Sequence, residues 1–172
     1  MSIRKKFCAA VISNWQSGNK LRIKFINELS KYKKVDMGGK YKNNVGGFVK
    51  NKIEFLSYYK FSIAMENSEG DGYTTEKIFQ SYMSGTIPIY YGNYMIDEIF
   101  NPKTYILIKN EKDMRDKIEY IKKIDNNDDL YKSFLKENII IDDKINKYFY
   151  EQKEFLWNIF EQDKLKAYRR FD

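Results

Sequence analysis

The chain has 172 residues, 42% of them apolar and 32% charged, enough for one sizeable core and too apolar for a disordered segment. Histidine is absent, which excludes His-dependent triads, His general bases and most catalytic zinc sites together. The formal charge is +7, yet only five of the 31 basic residues are arginine; a nucleic-acid partner is not expected, because arginine is the side chain suited to bidentate phosphate contacts and the lysine excess runs alongside abundant Asn, Ile and Tyr, all with A/T-rich codons.

Residues 7–13, FCAAVIS, read as a short buried strand whose lone cysteine, Cys8, fills core space and has no partner for an internal disulfide. A polar turn at 15–19 leads into a predicted helix over 20–32, with Leu21, Phe25 and Leu29 recurring every four residues and Arg22 in its first turn. A weak strand over 33–37 is closed by Gly38-Gly39, and residues 40–47 read as a surface loop. A helix is predicted over 49–59. It feeds the chain into 61–92, FSIAMENSEGDGYTTEKIFQSYMSGTIPIYYG, around which the rest is organised.

That stretch reads as strand (61–65), polar turn (66–72), helix (75–84, with Thr74 as N-cap and Gly85 just past its end) and strand (86–91). Short links between such elements make a βαβ unit with parallel strands. Ser62 interrupts the first apolar run, and Pro88 in the second argues for a strand start or an edge. In open α/β sheets ligands bind beyond the carboxyl ends of the strands, where helix N-termini attract phosphate. Tyr73, Glu76 and Lys77 stand across that helix start with i, i+3, i+4 spacing, so they are expected to share one helical face bordering the crevice. A lysine there can meet a diphosphate, a carboxylate can accept sugar hydroxyls, and a tyrosine can stack or donate one hydrogen bond. Spacing alone also fits an ordinary solvated first-turn pair.

After Gly92 the pattern gives a helical turn at 95–100, a break at Asn101-Pro102, a strand over 105–108, and helices over 110–124, 128–138 and 144–168. The expected fold is α/β: a Rossmann-like, doubly wound, mostly parallel sheet in a single domain over 1–172, with 126–172 as a helical extension. G-x-G-x-x-G and the P-loop motif are both missing, which disfavours a nicotinamide dehydrogenase and a P-loop NTPase. No run of 18 apolar residues occurs. The expected location is cytoplasmic, with at most a peripheral membrane contact.

Glu66-Asn67-Ser68, Gly72-Tyr73, Thr75-Glu76-Lys77-Ile78, Thr86-Ile87-Pro88-Ile89 and Tyr91-Gly92 together resemble the signature of the α1,3-fucosyltransferases, F-x-x-x-x-E-N-S/T, G/D-Y-x-T-E-K and T-I/V-P-I/V-x-x-G. Upstream, Ser13-Asn14, Arg22, Phe25 and Leu29, and then Val35-Asp36 before Gly38-Gly39, are similar to the same family. The resemblance implies one half of a GT-B type glycosyltransferase that binds GDP-fucose for inverting transfer to a hydroxyl of an acceptor glycan. It implies Arg22 and Lys77 on the donor diphosphate, Glu76 on the fucose or its developing positive charge, Tyr73 on phosphate or sugar, and Asn67 shaping the site. On the residues alone, Asn67 can also be a turn residue capping its own backbone. No cofactor or essential metal is expected, since the turn lacks an Asp-x-Asp cluster and Asp71 alone cannot hold a magnesium diphosphate. The expected partners are the nucleotide sugar, an acceptor glycan and an N-terminal acceptor-binding domain that supplies the general base. The alternative is a non-catalytic or truncated nucleotide-sugar binding module that needs a separate acceptor domain.

Overall fold

The computed structural model describes residues 6–13 and 20–141, together with Tyr150, Glu151, Lys153, Glu154 and Trp157 of a helical stretch. Asn14, the turn at 15–19 and most of the helix predicted over 144–168 lie outside the described residues.

Five parallel strands form one sheet in the order β2-β1-β3-β4-β5. They are β1 (Lys6–Ala10), β2 (Val35–Met37), β3 (Tyr59–Met65), β4 (Ile87–Tyr91) and β5 (Ile106–Leu107). The helices are α1 (Lys20–Ser30), α2 (Lys52–Leu56), α3 (Glu76–Met83), α4 (Met114–Asp125) and α5 (Asp128–Lys136). The chain leaves β1 for β2 on one side, then returns past β1 to build β3, β4 and β5 on the other. The direction of winding therefore reverses between β1 and β3; α1, α4 and α5 cover one face of the sheet, and α2 and α3 the other. One core joins Phe25, Ile26 and Leu29 of α1 with Ile118 and Ile121 of α4, Phe134 of α5, and Phe61, Ile63 and Met65 of β3. The opposite face packs Ile78 of α3 against Ala64 and Tyr90, and Leu56 of α2 against Ala9 and Tyr59. From Phe61 onward the residues of β3 alternate between the layers, Phe61, Ile63 and Met65 in the first and Ala64 in the second, as the pleat requires.

Several boundaries differ from the sequence reading for identifiable reasons. The helix predicted over 49–59 shrinks to α2, because Asn51 accepts from the Glu54 amide and caps it late. Tyr59 joins β3, where its phenol donates to Asp36 at 2.8 Å. The strand predicted over 105–108 pairs only at Ile106 and Leu107. That brevity accommodates Pro88: β4 is an interior strand, but β5 reaches only Ile89 and Tyr90, so the proline stands beyond its neighbour's reach. The loop at 40–47 is more than a connector. Asn44 accepts from the Met37 amide and donates to the Val35 carbonyl, covering the outer edge of β2. Ser62 is buried and shares a 2.6 Å hydrogen bond with Thr86, whose hydroxyl lies 3.0 Å from the Ser81 carbonyl. Cys8 is 1% exposed, and burial pushes its thiol pKa up, as suits an inert core residue.

Asp125, at the end of α4, is a buried carboxylate gripped by Lys33 (2.5 Å), Lys60 (3.1 Å) and the Tyr32 hydroxyl (3.1 Å). Burial pushes its pKa up, but these bonds outweigh it and hold the carboxyl below its usual range. The folded state therefore binds this proton more weakly than the unfolded chain does. Asp125 contributes its full stability above about pH 4 and loses it as pH falls through the lower folded value. Asp125→Asn is expected to cost on the order of 3 kcal/mol at pH 7, since the largely buried Lys60 loses its nearer charge partner and keeps only Asp128 at 3.9 Å. Urea unfolding at pH 7 and pH 3 checks both points: the gap between wild type and variant should narrow at the lower pH. Gly39→Ala is expected to cost about 2 kcal/mol or more, because a Cβ there would stand 2.1 Å from the Ile12 carbonyl oxygen. Gly47→Ala, with nothing within 4 Å, is its control.

Candidate functional site

The site lies just beyond the carboxyl end of β3, where the winding reverses. Glu66 continues the ladder, its amide donating to the Tyr91 carbonyl at 2.7 Å. Its side chain follows the even-numbered face of β3 toward α3 and is fully buried. There it accepts from the Thr75 amide (2.9 Å), the Thr75 hydroxyl (2.7 and 2.8 Å) and the Lys77 ammonium (2.7 Å). Asn67 follows the opposite face, and its Oδ1 accepts a 2.6 Å hydrogen bond from the Arg22 guanidinium. Two successive residues thus hold two cations that arrive on different helices.

Arg22 reaches this point because of helical periodicity. Residues 22, 25, 26 and 29 of α1 are its buried positions, spaced i, i+3, i+4, i+7, so the arginine tops the apolar stripe. It is only 2% exposed. Burial pulls its pKa down, and the nearby Glu66 charge draws it partly back up.

Lys77 is three-quarters covered; its ammonium also donates to the Thr75 hydroxyl at 2.9 Å and lies 3.9 Å from a Glu76 carboxylate oxygen. Glu76 points outward, its side chain 61% exposed. Burial pushes its pKa up, but its own backbone amide at the helix start, the Lys77 charge and the Thr75 hydroxyl together bring it below the usual range. The expectation that Tyr73, Glu76 and Lys77 share one helical face does not hold. The helix begins only at Glu76, so Tyr73 lies in the preceding turn, closed by its amide on the Gly70 carbonyl at 3.1 Å. Glu76 and Lys77 are then adjacent and diverge. The N-cap is Thr75, not Thr74, and its hydroxyl turns to Glu66 instead of the helix amides. Tyr73 is nearly half exposed at the mouth.

Three features of the site escape a reading of the sequence. Lys52, the first residue of α2, is half-buried. Burial pulls its ammonium pKa down, while Glu76 draws it up, Lys77 presses it down and Glu66 draws it up. It is a third cation at the same charge cluster, signalled only by its place after an Asn cap. Asn93, buried, braces the polar turn: its Oδ1 accepts from the Gly72 amide at 3.1 Å and its amide nitrogen donates to Thr74 at 3.1 Å. Glu69 accepts from the Tyr91 hydroxyl at 2.5 Å and from that of Tyr94; these bonds, Tyr91's first, hold its carboxyl below the usual range. Among the described residues, no group of three or more His, Cys, Asp or Glu side chains is placed to hold a metal ion. None of the described helices is long and apolar enough to cross a membrane.

A buried and a partly covered cation beside a helix N-terminus, at the reversal point of a parallel sheet, form an arrangement suited to a phosphate-bearing ligand. Solved structures support the comparison. This chain superposes on an α1,3-fucosyltransferase crystallised with GDP-fucose with a TM-score of 0.81 and 32% identity, over 96% of this chain and 50% of that one. For an α1,3-fucosyltransferase with GDP the TM-score is 0.84 and the identity 35%, over 95% of this chain and 49% of that one. The Rossmann-like fold expected for half of a GT-B enzyme is the one shared. The α-(1,3)-fucosyltransferase FucT of Helicobacter pylori is 37% identical over 153 residues, which is 89% of this chain and 32% of that protein. The chain therefore spans about half of the solved structures and about a third of that curated relative. Residues 1–155 match the family model for glycosyltransferase family 10 (fucosyltransferase), C-terminal part, and the chain belongs to this fucosyltransferase family.

Proposed function

We propose that this chain is the donor half of a fucosyltransferase and binds GDP-fucose at the mouth between β1 and β3. The observation that carries the reading is the convergence of Arg22 and Lys77, held by Asn67 and Glu66 at the point where the sheet reverses. The fold's likeness to structures crystallised with GDP-fucose and GDP supports it. In this reading, fucose passes to a hydroxyl of an acceptor glycan with inversion, in one displacement. The leaving group is GDP, and its diphosphate gathers negative charge as the glycosidic bond breaks. The Arg22 guanidinium and the Lys77 ammonium stabilise that charge, with the amide dipoles at the start of α3 adding to them. Preset cations suit this task, because little reorganisation is left for the moment of reaction. Glu76, exposed beside Lys77, faces the fucose or the positive charge developing on its ring. Tyr73, at the rim, positions phosphate or sugar. The acceptor and the general base come from an N-terminal acceptor-binding domain, and no cofactor or essential metal takes part because the side-chain cations meet the diphosphate.

A second reading, a nucleotide-sugar binding module that does not turn over by itself, is favoured by the share of its relatives that the chain spans. Both readings place the protein in the cytoplasm with at most a peripheral membrane contact; cell fractionation checks that placement.

Calorimetry with GDP-fucose, UDP-galactose and single-stranded DNA separates the possibilities. GDP-fucose is expected to bind and the other two are not. Arg22→Ala and Lys77→Ala are each expected to weaken binding by roughly 10- to 100-fold, the range of one charge-assisted hydrogen bond. Excess EDTA is expected to leave the affinity unchanged. Binding of DNA alone, with a steep salt dependence, would contradict the proposal. With an N-acetyllactosamine acceptor present, little or no fucosylated product is expected from this chain alone; robust product would refute the need for a separate acceptor domain.

A further inference from the structure

We infer that Glu66 is a positioning residue of the donor site, which sets the Lys77 ammonium in place before any ligand arrives. This rests on the donor reading above. Glu66 touches no part of the proposed ligand; it acts through Lys77 and the start of α3.

The geometry is specific. A carboxylate with no solvent exposure requires a paired charge and filled acceptor sites, and Glu66 has both in Lys77 and Thr75. An ammonium has three N–H donors. Those of Lys77 go to Glu66 at 2.7 Å and to the Thr75 hydroxyl at 2.9 Å, while Glu76 at 3.9 Å is too far for a hydrogen bond. One N–H is left for a phosphate oxygen. A lysine stem is flexible, and holding it in advance removes the ordering cost from binding. The other side of Glu66 is shaped for it as well. A Cβ on Gly92 would stand 2.5 Å from the Glu66 Cγ and 2.9 Å from the Tyr90 hydroxyl, and Gly92 has φ +154°. The strand after α3 is thus followed directly by a glycine, the one residue type that leaves room for this carboxylate.

The assignment makes a prediction opposite in sign to simple electrostatics. Glu66 offsets the charge of Lys77, so if it acted only as a nearby negative charge, Glu66→Gln would tighten GDP binding. As a positioning residue it does the reverse. The amide oxygen of Gln can still accept from Thr75, but its NH2 faces the Lys77 ammonium, donor against donor, and releases it. Calorimetry with GDP on E66Q, K77A and the double variant tests this. Expected are a roughly tenfold or greater loss for E66Q in the wild-type background, and a change of less than about twofold when it is added to K77A, because coupled residues are not additive. GDP affinity equal to or tighter than wild type in E66Q, or the same loss in both backgrounds, overturns the assignment. Should E66Q fail to fold, 15N NMR of the lysine ammonium groups in the wild-type chain decides the matter. A held ammonium exchanges its protons slowly, so beside a signal from Lys60 on Asp125 an Nζ signal is expected without GDP that is lost in K77R and shifted by GDP; the absence of such a K77R-sensitive signal overturns the assignment. Failure of the wild-type chain to bind GDP overturns the donor reading itself and is told apart by occurring before any substitution is made.

Discussion

A buried carboxylate at the end of an interior strand constrains everything around it. Glu66 has no water to solvate it, so the surrounding chain supplies a cation, a hydroxyl and an amide. These partners are Thr75, the N-cap of α3, and Lys77 in its first turn. The ion pair therefore fixes where α3 starts as well as where Lys77 stands. Asn67, one residue on, turns to the opposite layer and takes hold of Arg22. The alternation of a pleated strand is what lets adjacent residues reach two helices on two faces.

The topology makes that division useful. Because the chain winds one way from β1 and the other way from β3, α1 and α3 lie on opposite faces of the sheet, and their N-terminal ends meet only at the crevice between these strands. Arg22 and Lys77, placed near those ends, are held there by the adjacent residues Asn67 and Glu66. The walls of the crevice are tied down by polar side chains. Asn93 fastens the turn after β3 to the segment after β4, and Glu69 fastens that turn to two tyrosines. Such bracing suits the proposed donor site, whose charged groups would have to keep their places while charge builds on a leaving diphosphate.

Much of this was legible in the residues, and the omissions have physical causes. Apolar runs and a stripe of period 3.6 placed β1, α1, β3, α3 and β4, and the same stripe, extended one turn, puts Arg22 on the inward face. The family resemblance singled out Arg22, Asn67, Tyr73, Glu76 and Lys77, and the fold brings Arg22 to Asn67 and Lys77 to within 3.9 Å of Glu76. The exact start of α3 was not legible. Thr74 and Thr75 are equal candidates for a cap by propensity, and only the long-range bond from Glu66 decides between them. That decision separates Tyr73 from the helix and sends Glu76 and Lys77 in different directions. Ser62 looked like a flaw in an apolar strand and is one half of a buried hydroxyl pair with Thr86, a contact across 24 positions that no local pattern announces. Lys52 carries no local signal beyond following Asn51, because the charges that act on it, Glu76, Lys77 and Glu66, stand on and before α3.

The central claim is that Arg22 and Lys77 close on one diphosphate at the reversal point of the sheet. A crystal structure of the chain soaked with GDP tests it most directly. The account predicts the diphosphate between the carboxyl ends of β1 and β3, with oxygens within hydrogen-bonding distance of both the Arg22 guanidinium and the Lys77 ammonium, and Lys77 still on Glu66. A nucleotide bound elsewhere on the chain, or one in the crevice with neither cation in reach of its phosphates, would contradict it.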